Sequence, residues 1–381
     1  MSIESFIAGV GMTPFARMKH RSFESIGQEA VRKALEDAGL ERSAVDEVFC
    51  GSALTGRSMG QRVLRDMGMT GIPITNVENA CSSSSTALRE ACTAIAAGRC
   101  ETALVLGIDQ LSRLGGGTIP QVESDFDPNL GMVMPALYAM RARRYLHERG
   151  ATPRHLAQVA VKAHAAGKLN PYAQYRNEVT LEEVLQSRMV ADPLTLLMCC
   201  PTGDGAAAAI VTTRARAAQT GKRLVRVAAS ALQSGAYKTG FRDMVHSELT
   251  ERTARLAYQA AGLGPNDVDV IELHDAFASA ELMYYESLGL CEPGAAVALL
   301  ESGKTSLGGS QVVNPSGGLL CRGHPVGATG IAQICEAVWQ LRGQAQDRQV
   351  QGARVALTHC TGGGVAGLDH GSCAINILVA A

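Results

Sequence analysis

The chain has 381 residues, 46% of them hydrophobic, with 35 basic and 36 acidic side chains and a formal net charge of −1. That balance argues against a nucleic-acid partner, which calls for a basic excess, and no apolar run reaches the ~18 residues of a membrane span. The opening MSIESFIAGVG lacks the charged and apolar regions of a leader and the closing NILVAA matches no anchor signal, so a cytoplasmic enzyme is expected.

In chain order, the first clear unit is an amphipathic helix ending at Ala38-Gly39-Leu40, followed by ERSAVDEVFCGSA, a short loop and an apolar strand. A strand, IPITNV, then leads into a helix over 82–98, SSSSTALREACTAIAAG, and the strand TALVLGID. The same order recurs later. Ala261-Gly262-Leu263 is followed by GPNDVDVIELHDA, and the helix over 327–342 leads into ARVALTH. At one constant offset Arg32 meets Arg255, Ala34 meets Ala257, Val45 meets Val268 and Asp46 meets Asp269. Strands alternating with helices predict an α/β fold with a mostly parallel sheet, built as two similar halves with a site between them. The halves are expected at 1–110 plus 201–222 and at 223–381, with an insertion at 111–200.

The insertion opens on Gly115-Gly116-Gly117 and carries Pro120, Pro128, Pro135, Pro153 and Pro171. Within 141–176 it holds eight Arg or Lys, among them Arg141, Arg143 and Arg144, against one acid, Glu148. Such a stretch is either a solvated helix face or an anion site for a phosphate-bearing substrate; composition leaves both open.

Eleven cysteines are spread from Cys50 to Cys373 without a C-x-x-C. An odd, dispersed set in a chain this long is no disulfide framework. The adjacent Cys199-Cys200 lacks partners at ligand spacing, so no metal is expected. Most of these thiols read as small buried hydrophobes. Cys81 differs, because it stands where a strand ends and a helix begins; a helix N-terminus lowers a thiol pKa, and the strand-turn-helix placement lifts a nucleophile out of the sheet. Three histidines, His274 in ELHDAF, His324 in CRGHPVGATG and His359 in LTHCTGGG, lie where strand meets loop. Cys360 precedes glycines 362–364, which allow close backbone approach and can aim N–H groups at an oxyanion.

The blocks NACSSSSTAL, HDAF, NPSGGLLCRGHPVGATG and HCTGGG, together with NPYAQYR and SRMVADPLTLLMCCPTGDGAAA, resemble the thiolase family over nearly the whole chain. The likeness is greatest to its sterol-carrier-protein-type and archaeal, acetyl-CoA acetyltransferase-like branch. The resemblance implies two α/β halves in a five-layered arrangement with an inserted loop domain, and a homodimer or homotetramer. It implies acyl-CoA and CoA as substrates, no permanently bound cofactor, and in some members a small zinc-ribbon/OB-fold accessory protein. By motif, Cys81 matches the acylated nucleophile and His324 the base. His274 with His324 matches the donors to an enolate oxygen, Cys360 the acid/base thiol, and the N–H groups of Cys81 and Gly362 a second oxyanion hole. Arg141, Arg143 and Arg144 become candidates for the CoA phosphates.

The chain departs from one branch pattern. Where that branch carries its acid/base thiol in HDCF, this chain has Ala276, so the thiol is expected at Cys360, with Cys321 a less favoured alternative. The reaction implied is thiolytic cleavage of a 3-oxoacyl-CoA, or the reverse Claisen condensation, through an acyl-Cys intermediate. The alternatives are a thiolase-like aldolase acting on a 3-hydroxyacyl-CoA, which needs no acyl-enzyme, and a non-catalytic subunit of a complex.

Overall fold

A computed structural model describes residues 4–115, 118–119, 126–237, 239, 243–363, 365 and 370–381. Gly116, Gly117, Pro120 and Gly364, named above, lie outside the described residues. The strands are β1 (Ser5–Met12), β2 (Glu47–Gly51), β3 (Ile74–Val77), β4 (Thr102–Gln110), β5 (Met189–Ala191), β6 (Leu194–Thr195), β7 (Asp204–Thr213), β8 (Val225–Ser234), β9 (Val270–Glu272), β10 (Val312–Val313), β11 (Val355–Gly362) and β12 (Ser372–Ala380). Ten of them run in the order β10-β9-β11-β12-β8-β1-β7-β4-β2-β3, and β5 with β6 forms a separate ribbon.

The repeat read in the sequence appears as matched local chemistry. The helix Phe23–Ala38 is capped by Ser22, which accepts from Ser25 N, and ends at Gly39 with φ +64°. Its counterpart Glu248–Ala261 is capped by Ser247, which accepts from Thr250 N, and ends at Gly262 with φ +68°. Left-handed caps of this kind cost least at glycine. Asp46 and Asp269 also do the same work: each carboxylate accepts two backbone N–H groups at the start of a neighbouring strand, those of Glu101 and Thr102 in one half and of Arg354 and Val355 in the other.

The expectation of a mostly parallel sheet needs correction. β2 is parallel to β3 and β4, and β9 to β10 and β11, but β1, β7, β8 and β12 pair antiparallel. Of these pairs only β11 and β12 are joined by a short return, which can only place its strand antiparallel; β1–β7, β1–β8, β8–β12 and β4–β7 bring together strands far apart in the chain.

Five layers result. Phe23–Ala38 covers one outer face through Ile26, Ala30, Val31 and Ala34 against Val48, Leu104, Leu106 and Ile210. The helices Ser83–Ala96 and Thr329–Arg342 lie together between the two halves of the ten-stranded sheet, burying Leu88, Ala91 and Ile95 against Ile331, Ile334 and Val338. Each of these Leu, Ile and Val side chains contributes about 1.5–3 kcal/mol on full burial. Their approach requires small residues: a Cβ on Gly330 would stand 2.7 Å from Ser85 N, and Ile331 N donates to Ser84 Oγ at 3.1 Å. The serine run of the first helix and the glycine of the second are therefore one contact. Glu248–Ala261 and Ala278–Ser287 cover the other outer face, joined by the insertion helices Met134–Arg149 and Pro153–Lys168. Tyr145 donates to Glu286 at 2.7 Å and Lys162 pairs with Glu281 at 2.6 Å, tying the insertion to the second half. Among the described residues no helix is long and apolar enough to cross a membrane.

Candidate active site

β3 ends at Val77, and a single 3-10 turn, Ala80–Ser82, intervenes before the helix Ser83–Ala96. Cys81 sits in that turn. Ala80 has φ +48°, a left-handed conformation uncommon for a residue with a Cβ. Local hydrogen bonds enforce it: Ala80 N donates to Glu78 Oε1 at 2.7 Å, Ser83 Oγ to Ala80 O at 2.6 Å, and Asn79 N to Ser83 Oγ at 2.9 Å. The turn presents Cys81 toward the strand ends of the other half, where Cys360 Sγ donates to Cys81 O at 3.0 Å.

His324 lies five residues before the second central helix. Its Nδ1 is 2.7 Å from Thr329 Oγ1, and that hydroxyl donates to Pro325 O at 3.0 Å. The hydroxyl proton is thus committed, so Nδ1 must be the donor and Nε2 carries the lone pair. A base tautomer is fixed by the fold. His274 follows β9, with Nδ1 3.1 Å from Thr361 Oγ1, itself 3.2 Å from Tyr284 OH. Its Nε2 is buried without a hydrogen-bond partner, and its ring meets that of His324 edge-on at 5.1 Å. Cys81 Sγ and one nitrogen of each imidazole lie within 4.8 Å of one another. With both Nδ1 atoms engaged by threonines, Nε2 is the nitrogen of each ring left for a reactant.

Burial sets the resting charges. It pushes the Cys81 thiol up to about 12, further raised by the Asp109 and Glu78 carboxylates, while the Gly363 N–H pulls the other way. The lowering expected from the helix start is outweighed, because desolvation of a thiolate exceeds what one turn of backbone dipoles returns. Burial, with the Arg322 guanidinium second, brings His324 down to about 3. Burial likewise holds His274 well below the usual range, assisted by His324 and His359, and Cys360 well above it. The resting site is a set of neutral thiols and imidazoles. Transfer of the Cys81 proton to His324 creates both charges in contact, where each offsets the other's loss of solvent.

The fold brings Cys81, His274, His324 and Cys360 together. The Gly363 N–H is hydrogen-bonded to the Cys81 thiol; Gly362, expected as an oxyanion-hole donor, ends β11 paired with Ser372. His359 stands behind: its Nδ1 accepts from His274 N at 3.4 Å and its Nε2 meets Thr250 Oγ1 at 3.1 Å. Cys321 Sγ donates to Tyr175 O at 3.0 Å, which commits it to the insertion. The three arginines are not gathered. Arg141 is buried and donates from Nε to Met244 O at 3.0 Å; a guanidinium so placed braces the insertion and does not reach phosphates in solvent. Arg143 pairs with Asp192 and Arg144 with Glu148, both on the surface.

Sequence reasoning missed two residues. Asp109, at the end of β4, accepts from Ser52 Oγ, Ala53 N, Leu54 N, Thr55 Oγ1 and Gly327 N. It locks the 52–55 loop to the loop that carries His324. Cys200 donates from its N to Ala276 O at 2.9 Å, and Cys81 is among the groups that raise its thiol pKa after burial. Only the CCPTGDG block hinted at the second, and nothing local at the first.

The model described as thiolase, N-terminal domain, matches residues 5–215, and that described as thiolase C-terminal domain-like matches 230–369. Benzoylsuccinyl-CoA thiolase subunit BbsB of Thauera aromatica is 43% identical over 365 residues, 94% of each chain. Acetyl-CoA acetyltransferase of Methanothermobacter thermautotrophicus is 40% identical over 367 residues, 94% of this chain and 96% of that one. Sterol carrier protein 2 of Homo sapiens is 40% identical over 94% of this chain and 69% of its own length. Among solved structures, the Ltp2-ChsH2(DUF35) aldolase superposes with TM-score 0.87 at 29% identity, covering 99% of this chain and 98% of that one. A monomeric SCP2-thiolase like protein of Mycobacterium smegmatis, at 21% identity and TM-score 0.76 over 99% of this chain and 77% of its own, shares the fold. With both family models matched along nearly its whole length and named thiolases near 40% identity, the chain belongs to the thiolase family and is an acyltransferase of the thiolase kind.

Proposed function

We propose that the chain cleaves a 3-oxoacyl-CoA with CoA, or runs the reverse condensation, through an acyl group carried on Cys81. The observation that supports this most is the Cys81 thiol within 4.8 Å of two imidazole nitrogens, one of them held as a base by Thr329. His324 Nε2 takes the thiol proton, and the thiolate attacks the 3-oxo carbon. The C2–C3 bond breaks, leaving acyl-Cys81 and the enolate of a shortened acyl-CoA. Splitting the transfer at a covalent intermediate lowers each barrier. His274, with Nε2 as donor and Nδ1 accepting from Thr361, joins protonated His324 in holding the enolate oxygen, and Cys360 S–H supplies the proton to carbon. The Cys360 thiolate then takes the proton of incoming CoA, whose sulfur displaces Cys81. The N–H groups of Cys81 and of Gly362 or Gly363 face the second oxyanion. The scheme needs CoA as co-substrate and no permanently bound cofactor.

CoA phosphates are assigned to Arg143 and Arg144, the two of the three candidate arginines that keep exposed guanidinium groups. A cytoplasmic homo-oligomer that degrades lipid-derived or aromatic acyl chains is the wider setting we favour; a relative at 43% identity is named for benzoylsuccinyl-CoA. A small accessory subunit fits two facts: that relative is called a subunit, and the aldolase neighbour is a complex with a DUF35 protein. The same neighbour favours an aldolase as the second reading. Product analysis over a panel of 3-oxoacyl-CoAs and 3-hydroxyacyl-CoAs separates them. A thiolase yields two acyl-CoAs only when CoA is added, and cleavage of the hydroxy series without CoA overturns the assignment.

A further inference from the structure

The catalytic residues carry a second chemistry that the acyl transfer does not use. Cys81 Sγ and one ring nitrogen each of His274 and His324 converge within 4.8 Å of one another, and a thiol with two imidazoles is a donor set that suits zinc. His274 Nε2 is enclosed, with its residue 3% exposed, and no hydrogen-bond partner meets it. A buried polar atom of that kind calls for a ligand. The supporting shell is also in place. His324 Nδ1 donates to Thr329 Oγ1, and His274, switched to the tautomer opposite to the one that donates to the enolate, gives its Nδ1 proton to Thr361 Oγ1, whose own proton then goes to Tyr284 OH. Metal-bound histidines are oriented in this manner, each giving its other N–H to an oxygen.

We propose that Cys81, His274 and His324 form a three-ligand site for zinc, and that its occupation holds the protein in a reversible inactive state. Binding replaces the thiol proton, which leaves to solvent, with a sulfur–zinc bond, and nothing is oxidised or reduced. A tetrahedral zinc with bonds of about 2.0–2.3 Å sets its ligands about 3.3–3.6 Å apart, so side-chain rotations on the order of 1 Å close the site. Cys81 keeps partial exposure, which leaves the fourth position to water. The three ligands come from residues 81, 274 and 324, and the spacing between them in sequence conceals the site. The inactivity half of this inference rests on Cys81 as the nucleophile; the binding half does not.

Cobalt(II) is the probe, because a thiolate ligand gives it a charge-transfer band in the near ultraviolet. Metal-free full-length protein should develop a saturable band at one cobalt per chain, and added zinc should abolish it. The band should be missing in Cys81→Ala and in wild-type protein alkylated at Cys81 beforehand, which needs no variant to fold. His274→Gln should weaken binding by more than about 100-fold, beyond the ~10–100-fold loss of an outer-shell partner, and Cys291→Ala, at a partly exposed thiol outside the ligand set, should leave it unchanged. A band of equal intensity after Cys81 is alkylated, or no saturable band in the wild type, overturns the proposal. If metal binds as described while no acyl-enzyme ever forms, the site stands and the thiolase reading falls. If acyl-Cys81 forms and zinc neither binds nor slows it, this inference alone falls.

Discussion

The register of β2 on β4 pairs Phe49 with Val105 and Gly51 with Gly107; that of β9 on β11 pairs Glu272 with Thr358. Carrying the repeat two residues further sets His274 against Gly51 and Cys360 against Gly107. The two halves therefore have matching strand ends, with side chains that do chemistry in one and glycines in the other. The glycines are filled space. A Cβ on Gly51 would stand 2.5 Å from Ser84 Cα, and one on Gly107 2.7 Å from Gly327 O. In the first half, the backbone of the central helix and the His324 loop press directly on the strand ends. In the second half the facing element is the Ala80–Ser82 turn, which stands off far enough to admit an imidazole and a thiol. A duplicated scaffold offers two clefts; close backbone packing shuts one, and the reaction has the other.

Giving the second half the residue of the first tests this most severely. His274→Gly should keep the fold and cut turnover by about 10²–10⁴, the share of a positioned acid/base or oxyanion donor, measured as kcat against an unchanged circular dichroism spectrum.

The asymmetry also has a pH signature. His324 titrates at about 3 in the folded chain and near ~6.5 unfolded, so the unfolded state binds the extra proton between those values. Stability should be flat above about pH 6.5 on this account and fall as pH drops toward 3. The loss on reaching pH 4 is on the order of 3 kcal/mol. Denaturant midpoints for wild type and His324→Gln should converge as pH falls if this is right. Parallel curves would place the acid sensitivity elsewhere.

Giving the first half a side chain should act on stability alone. Gly107→Ala overpacks the contact with Gly327 and Ser84 and should cost about 1–3 kcal/mol, read from urea unfolding. A stable variant would mean the closed cleft has slack. Smallest is the effect of removing the surface cations of the insertion. Arg143→Gln with Arg144→Gln should raise KM for CoA by about 2- to 30-fold with kcat unchanged, since two exposed charge pairs contribute about 0.2–1 kcal/mol each. An unchanged KM would leave these arginines as partners of Asp192 and Glu148 only.

Much of this was legible in the sequence, for local reasons. Gly39 and Gly262 announced their helix ends, Asp46 and Asp269 marked the repeat, and Cys81 stood at a strand-to-helix turn. What escaped depends on segments remote in the chain. The charge state of Cys81 follows from burial, which no local dipole argument contains. Arg141 looked like a phosphate ligand until Met244, a hundred residues on, supplied its acceptor. Asp109 is explained by partners at 52–55 and 327. Gly51 and Gly107 could be recognised as packed shut only once Ser84 and Gly327 were seen against them.

The division of labour between Cys81 in one half and Cys360 in the other is open to one direct measurement. Wild type and Cys360→Ala are each mixed with a 3-oxoacyl-CoA in the absence of CoA, quenched, digested and weighed by mass spectrometry. The account predicts an acyl mass on the peptide containing Cys81 in both proteins, with steady-state turnover of the variant lower by about 10²–10⁴. An acyl mass on Cys360 or Cys321, or a variant that turns over at the wild-type rate, would contradict it.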